Sequence, residues 1–231
     1  MEPAESLAIL WEDAHLIAVD KPAGVLSQGT VGGEPTLEGA VRRHLSAGVG
    51  GADVYLGTVH RLDRPVSGVI VWAKTPKATR RVAEAFARRE VTKEYLAAVE
   101  GSGPVPDRWD NWLGPVDEAG VARVVAEGSP GAKRAITRAR PIGGRVPPGV
   151  VLLSLAPETG RTHQLRAQAA ARGRPVVGDA RYGSARAFPS GIALHAARLA
   201  FEHPTTRREL VLVAGPPASW REAGIVPDLG R

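Results

Sequence analysis

The residues best suited to chemistry lie in one stretch, Val59-His60-Arg61-Leu62-Asp63-Arg64-Pro65-Val66-Ser67-Gly68. It sets a carboxylate, Asp63, between two arginines. The run that follows, Val69-Ile70-Val71-Trp72-Ala73-Lys74, is apolar, β-branched and of strand length. The spacing therefore predicts Asp63 in a loop that enters a buried strand, a fixed perch of the kind that holds functional groups. Arg61 and Arg64 beside it would keep the carboxyl ionised. An ionised carboxylate can act as a nucleophile or a base but is poorly placed to be an acid. Taken alone, Arg-x-Asp-Arg fits a loop-capping residue in a surface ion pair better than a catalytic group.

The elements that must position this stretch can be read along the chain. Two short apolar runs, Leu7-Ala8-Ile9-Leu10-Trp11 and His15-Leu16-Ile17-Ala18-Val19, read as a hairpin, broken after Val19 by Asp20-Lys21-Pro22-Ala23-Gly24. Thr36 can cap a helix with Leu37, Val41 and Leu45 on one face, ending at the glycines from Gly48. Thr75-Pro76 opens a second helix through about residue 90, with Val82, Ala85 and Phe86 on its apolar face. Residues 92–99 read as a strand carrying Tyr95. Residues 107–145 read as short strands and turns with the densest basic content: Arg123, Lys133, Arg134, Arg138 and Arg140. Strands bearing arginines with few aromatics suit phosphate-backbone contact better than base reading. Residues 150–155 read as a buried strand, and Thr162 as the cap of a helix running to Arg172 and stopping at Gly173. Arg166 falls in the first turn of that helix, where a cation opposes the helix dipole and calls for a nearby anion, with Asp63 the candidate and a plain exposed arginine the alternative. Residues 178–183 read as a loop, 192–201 and 209–213 as strands around His203-Pro204, and Gly215-Pro216-Pro217 as the end of the fold, with Trp220 packing back.

The chain has 231 residues, 43% of them hydrophobic and 23% charged, enough for one large mixed domain with an adequate core. It has no cysteine, hence no disulfide and no thiolate metal site. Residues 1–6 lack the basic and apolar regions of a signal peptide, and no apolar run approaches the roughly 20 residues that span a bilayer. A cytoplasmic location is expected, with no membrane partner. A net charge of +6 and a pI near 10.1 point to a polyanionic partner, nucleic acid first. Arginine richness also fits a GC-rich genome. The absence of long exposed apolar stretches points to a monomer.

His60-Arg61-Leu62-Asp63, with Ser67-Gly68 and Ala73-Lys74-Thr75, resembles the active-site signature of the RluA-type pseudouridine synthases. Gly160-Arg161-Thr162-His163-Gln164-Leu165-Arg166 resembles that family's second strong motif, and Gly178-Asp179 with Tyr182-Gly183 a third. Lys93-Glu94-Tyr95 and the segment from Leu194-His195-Ala196 to His203-Pro204 match further strands. The matches run in order over most of the chain, from about Lys21 to Pro204. Pro65 and Val66 depart from the acidic residue and threonine the family usually carries there, which bears on loop rigidity and rate more than on reaction type.

The resemblance implies an α+β fold: a mixed, largely antiparallel sheet with flanking helices and a central active-site cleft. One catalytic domain over residues 1–231 is expected; the family often carries an appended S4-type RNA-binding domain, but with only about 6 residues before the first strand none is expected at either end. The implied activity is isomerisation of specific uridines to pseudouridine in ribosomal or transfer RNA, with no cofactor and no metal. Asp63 would be the catalytic carboxylate, and Arg166 would pair with it. Tyr95 and Leu165 would hold the base, and Arg61 would fill the space the flipped nucleotide leaves. Lys21, Arg64, Arg134, Arg161 and His163 are the candidates for RNA contact. A loop uridine is the expected target, since unpaired bases cost least to turn out. Two other classes fit parts of the pattern. One is a metal-dependent hydrolase using His60, Asp63, His163 and His195, although the six histidines show no HxxxH pair. The other is a non-catalytic RNA-binding module derived from the same family.

Overall fold

The structure, a computed structural model, describes residues 7–29 and 34–229. The acidic residues 1–6, read above as lacking a signal peptide, lie outside them. The fold is mixed α+β, with a largely antiparallel sheet and few helices, as expected. The chain forms two compact units: Met1–Thr92 with Ala196–Gly215, and Lys93–His195 with Pro216–Arg231.

The first unit opens with the predicted hairpin, β1 (Ile9–Glu12) and β2 (Leu16–Lys21). Its turn is closed by Asp13, whose Oδ1 accepts the N–H groups of His15 and Leu16 at 2.7 and 2.8 Å. β2 continues through Asp20 and Lys21, two residues beyond the expected break. The chain leaves it at Pro22, which has no N–H to give a ladder. In α1 (Leu37–Ala47), Thr36 caps Gly39 N–H as read from sequence, and Leu37, Ala40, Val41 and Leu45 are buried. The two-residue β3 (Gly57–Thr58) leads to β4 (Ser67–Ala73), buried at every position and paired with β2 from Leu16↔Ala73 to Lys21↔Gly68. α2 (Pro76–Arg88) is capped by Thr75 and ends at Arg89, which adopts the left-handed conformation.

In the second unit, β5 (Thr92–Glu100), β6 (Arg108–Leu113), β7 (Val124–Val125), β8 (Lys133–Pro141) and β10 (Val150–Pro157) run side by side in the order β5-β10-β8-β6-β7. β9 (Gly144–Arg145) lies off this row. β8 has nine residues, longer than the short strands expected. Ala135, Thr137 and Ala139 are buried and Arg134, Arg138 and Arg140 exposed, an alternation broken only at Ile136, which is buried as well. α3 (Gln164–Ala170) packs on the buried face, where Ala135 and Ala167 share a small core with Leu113, Val121, Ala122 and Tyr182.

The first unit is completed by the hairpin of β11 (Leu194–Glu202) and β12 (Glu209–Val213), with the predicted His203-Pro204 turn. Leu199, Phe201, Leu210 and Leu212 from this hairpin join Leu16, Ala18, Val69, Val71 and Val82 in one core. The second unit does not end at Gly215-Pro216-Pro217. Residues beyond form α4 (Ala218–Glu222), with Trp220 fully buried, and β13 (Val226–Pro227), which pairs with β9. The prolines mark a change of unit rather than a terminus.

Candidate active site

Asp63 is half-buried in the loop that enters β4, where the sequence places it. The loop is tied down from three directions. Val66 N–H donates to the Asp63 carbonyl at 3.0 Å, closing a tight turn. Ser27 Oγ donates to Leu62 O at 2.6 Å and accepts Leu62 N–H at 3.2 Å. Lys21 Nζ donates to the carbonyls of Pro22, Arg64 and Val66 at 3.0, 3.1 and 2.8 Å.

Lys21 therefore corrects an expectation. It is not a turn lysine offered to phosphate but a fully buried one, 0% exposed. It spends its three donors on the carbonyls around Asp63, because no water reaches it there. Burial pulls its ammonium from 10.5 down to about 7, while the Asp63 carboxylate pulls it up and Arg64 pulls it further down.

The flanking arginines behave differently from one another. Arg64 is exposed and directs its guanidinium to Gly24 O at 3.0 Å and to Glu34 at 3.2 Å. Arg61 is exposed. The unusual Val66 is 3% exposed and gives its carbonyl to Lys21, so the loop uses its backbone and packs its side chain.

The second motif departs from its expected local geometry. Thr162 is exposed and does not cap α3. The N-cap is His163, in the left-handed conformation at φ 54°, and the helix starts at Gln164. Leu165 and Arg166 are consequently both in the first turn and buried. The sequence offers Asp63 as the anion for Arg166; the carboxylate that takes its guanidinium is Asp179, which accepts Nε at 2.7 Å and Nη2 at 2.9 Å, in a pair with both side chains buried. The Tyr182 ring lies under the same guanidinium, 4.8 Å from its centroid. Tyr182 Oη accepts Ala122 N–H at 2.9 Å and lies 3.0 Å from His163 Nδ1. Asp179 and Tyr182 were visible in sequence as a motif but had no assigned partner. Their signal was the buried cation at the wrong end of a helix.

A polar network fixes α3 to β8. Gln164 Nε2 donates to Ile136 O at 3.0 Å and Thr137 Oγ1 at 2.9 Å, and its Oε1 accepts from Thr159 Oγ1 at 2.7 Å. Gln168 Oε1 accepts Thr137 Oγ1 at 2.7 Å, and its Nε2 donates to the carbonyls of Ala135 and Trp109. Such residues satisfy buried groups and set the helix register at once. Sequence reading quoted Gln164 within a motif but gave it no role, and did not single out Gln168.

Tyr95 is half-buried on β5, opposite Leu155, which in turn lies opposite Ala139. Directly opposed residues share a face, so Tyr95 is on the side of the sheet that carries α3. Arg134 is on the other side, bonded to Asp110 at 2.9 and 2.7 Å. Arg161 Nε donates to the Arg134 carbonyl at 3.0 Å. The RNA-contact candidates thus divide: His163 belongs with Arg166 and Tyr182, and Arg134 with the opposite face.

The histidines of the metal reading are otherwise engaged. His60 Nε2 accepts Val71 N–H at 3.0 Å and its ring stacks on Phe86, while His195 is fully buried edge-on to Trp220. Among the described residues no group of three or more His, Cys, Asp or Glu is arranged to hold a metal ion. No helix among them is long and apolar enough to cross a membrane.

Residues 15–171 match the family described as RNA pseudouridylate synthase. The chain is 32% identical over 267 residues to the tRNA pseudouridine synthase C of Salmonella typhimurium, a match covering 97% of this chain and 94% of that one. It is 33% identical over 222 residues to the ribosomal large subunit pseudouridine synthase D of Zymomonas mobilis, covering 88% of this chain and 67% of the relative. The solved structure of human RNA Pseudouridylate Synthase Domain Containing 1 superposes with a TM-score of 0.76 at 28% identity, covering 99% of this chain and 92% of that one. With the motif around Asp63, the buried Arg166 and the mixed antiparallel fold, these matches establish that the chain belongs to the RluA-type family of RNA pseudouridine synthases.

Proposed function

We propose that this chain converts specific uridines of ribosomal or transfer RNA to pseudouridine, with Asp63 as the catalytic carboxylate. The observation that supports this most is the investment in the Asp63 loop: a buried lysine and a buried serine hydroxyl hold its backbone, and Asp63 stays half-exposed. A carboxylate serving only to cap a loop would not need that support.

The reaction breaks the N1–C1′ bond, turns the freed uracil, and forms a C5–C1′ bond. C5 gives up its proton and N1 regains one, so atoms and electrons balance without a redox partner. Asp63 is suited either to attack C1′ or to take a proton from C2′. Arg166 is assigned as a supporting cation, the plane of its guanidinium set by Asp179. Tyr95 offers a ring for the base, a contact worth roughly 1–3 kcal/mol, and Leu165 an apolar wall. Arg61 fills the stack that the extruded nucleotide leaves. The reaction is assigned to a single catalytic domain over residues 1–231.

The test is tritium release from RNA labelled at uridine C5, with wild type and Asp63→Asn in parallel and a chelator present. Release is expected from wild type and should drop at least about 10³-fold in the variant, the scale of losing a nucleophile or base. Salt-sensitive RNA binding without release by wild type would overturn the reading in favour of a binding module.

A further inference from the structure

The face of the second unit opposite Tyr95 carries a feature that isomerisation does not use. Arg108 on β6 lies directly opposite Arg138 on β8, and Trp112 directly opposite Arg134. Like charges facing across a ladder are unfavourable. Here two carboxylates are threaded between them. Glu158 accepts from Arg108 Nη1 at 3.4 Å and Arg138 Nε at 3.0 Å, and Asp110 accepts from Arg108 Nη2 at 3.5 Å and Arg134 Nη2 at 2.7 Å. The order Arg134–Asp110–Arg108–Glu158–Arg138 is a continuous ladder of alternating charge. Arg140, exposed on the same face, extends it, and Arg161 holds the Arg134 carbonyl at its end. Glu127 lies further out beside Arg134.

Exposed ion pairs contribute little to stability. What this ladder does is hold several guanidinium groups in place with donors still directed to solvent: Arg138 is 71% exposed and Arg134 is 55% exposed. Cations outnumber carboxylates, and the half-buried Trp112 ring borders the row. Ordered guanidiniums beside an aromatic ring match a phosphate backbone with a stackable base.

We infer that this face of β6 and β8 is a second RNA-contact surface, which takes the sugar–phosphate backbone of the substrate RNA away from the target nucleotide. It rests on the RNA substrate proposed above and extends it.

The test compares wild type with Arg134→Gln/Arg138→Gln/Arg140→Gln and with a charge-matched control, Arg207→Gln/Arg208→Gln/Arg221→Gln. Melting temperatures establish that each is folded. Binding to unmodified ribosomal RNA transcript and to unfractionated tRNA is followed across a salt series. The first triple variant should lower the slope of log affinity on log salt by about 2, and affinity by about ten- to a hundred-fold, given roughly 0.7–0.9 of slope per phosphate contact. The control should keep the wild-type slope. An unchanged slope in the first variant, or an equal fall in the control, would overturn the inference and leave the ladder a structural device. Failure of wild type to release tritium while binding stays intact sinks the synthase reading alone. Failure of wild type to bind either RNA sinks both.

Discussion

Arg166 and Asp179 form a two-bond ion pair inside the protein, Nε to Oδ2 at 2.7 Å and Nη2 to Oδ1 at 2.9 Å, with the side chains 4% and 2% exposed. The fork geometry fixes the plane of the guanidinium, which a single bond would not do. Removing one partner of such a pair strands a charge in the interior. Asp179→Ala should cost about 3–5 kcal/mol of stability, read from urea denaturation, with Asp179→Asn milder because it keeps one acceptor. Arg166→Lys should not substitute, since a point charge cannot span both oxygens. A wild-type midpoint for Asp179→Ala would show that the pair does not organise this region.

Gly68 sits two positions from the tight turn of the Asp63 loop, at φ +114°. A Cβ built there meets Ala196 backbone O at 2.3 Å and N at 2.6 Å, atoms that cannot swing away. Gly68→Ala therefore combines a strained dihedral with a backbone clash and should cost at least about 3 kcal/mol. The expected readout is a large fall in melting temperature, with tritium release lost in proportion to folded protein or further. Retention of wild-type stability would mean that β4 and β11 do not approach as closely as described.

Lys21 carries the pH prediction. Burial draws its folded value from 10.5 to about 7. A lysine so depressed binds fewer protons folded than unfolded between those values, so stability rises with pH through that window. Below about 7 both states hold the proton and the cost of the buried charge is present in full; above 10.5 neither does and it is gone. The unfolding free energy of wild type minus that of Lys21→Met should climb between about pH 7 and 10.5, at no more than roughly 1.4 kcal/mol per pH unit. A flat difference would show that the ammonium keeps its proton throughout, held by Asp63 and the three carbonyls.

Much of the molecule was legible from local signals. Thr36 and Thr75 cap the helices the sequence assigns them, because a hydroxyl accepting the third N–H is a contact within four residues. The apolar run after Gly68 is the buried strand it reads as, and Asp63 lies in the loop before it. The ordered motifs around Asp63, Arg166 and Asp179 carried the family, and the comparisons bear it out.

Tertiary structure decided the partners. A lysine before a proline looks like a solvated turn in any window of sequence. Only the fold brings Arg64 and Val66 to it, from 43 and 45 residues away, and shuts out water. Thr162 has the chemistry of a helix cap and His163 does not. The chain starts the helix after His163, where Gln164 and Gln168 can reach Thr137 on β8. Arg166 announced a missing anion, but which carboxylate lies at Nε and Nη2 depends on how the segment to Asp179 folds back. Composition, periodicity and caps are properties of neighbours along the chain and could be read there. Burial, long-range hydrogen bonds and ion pairing depend on which distant segments meet, so they appeared only when the chain was folded.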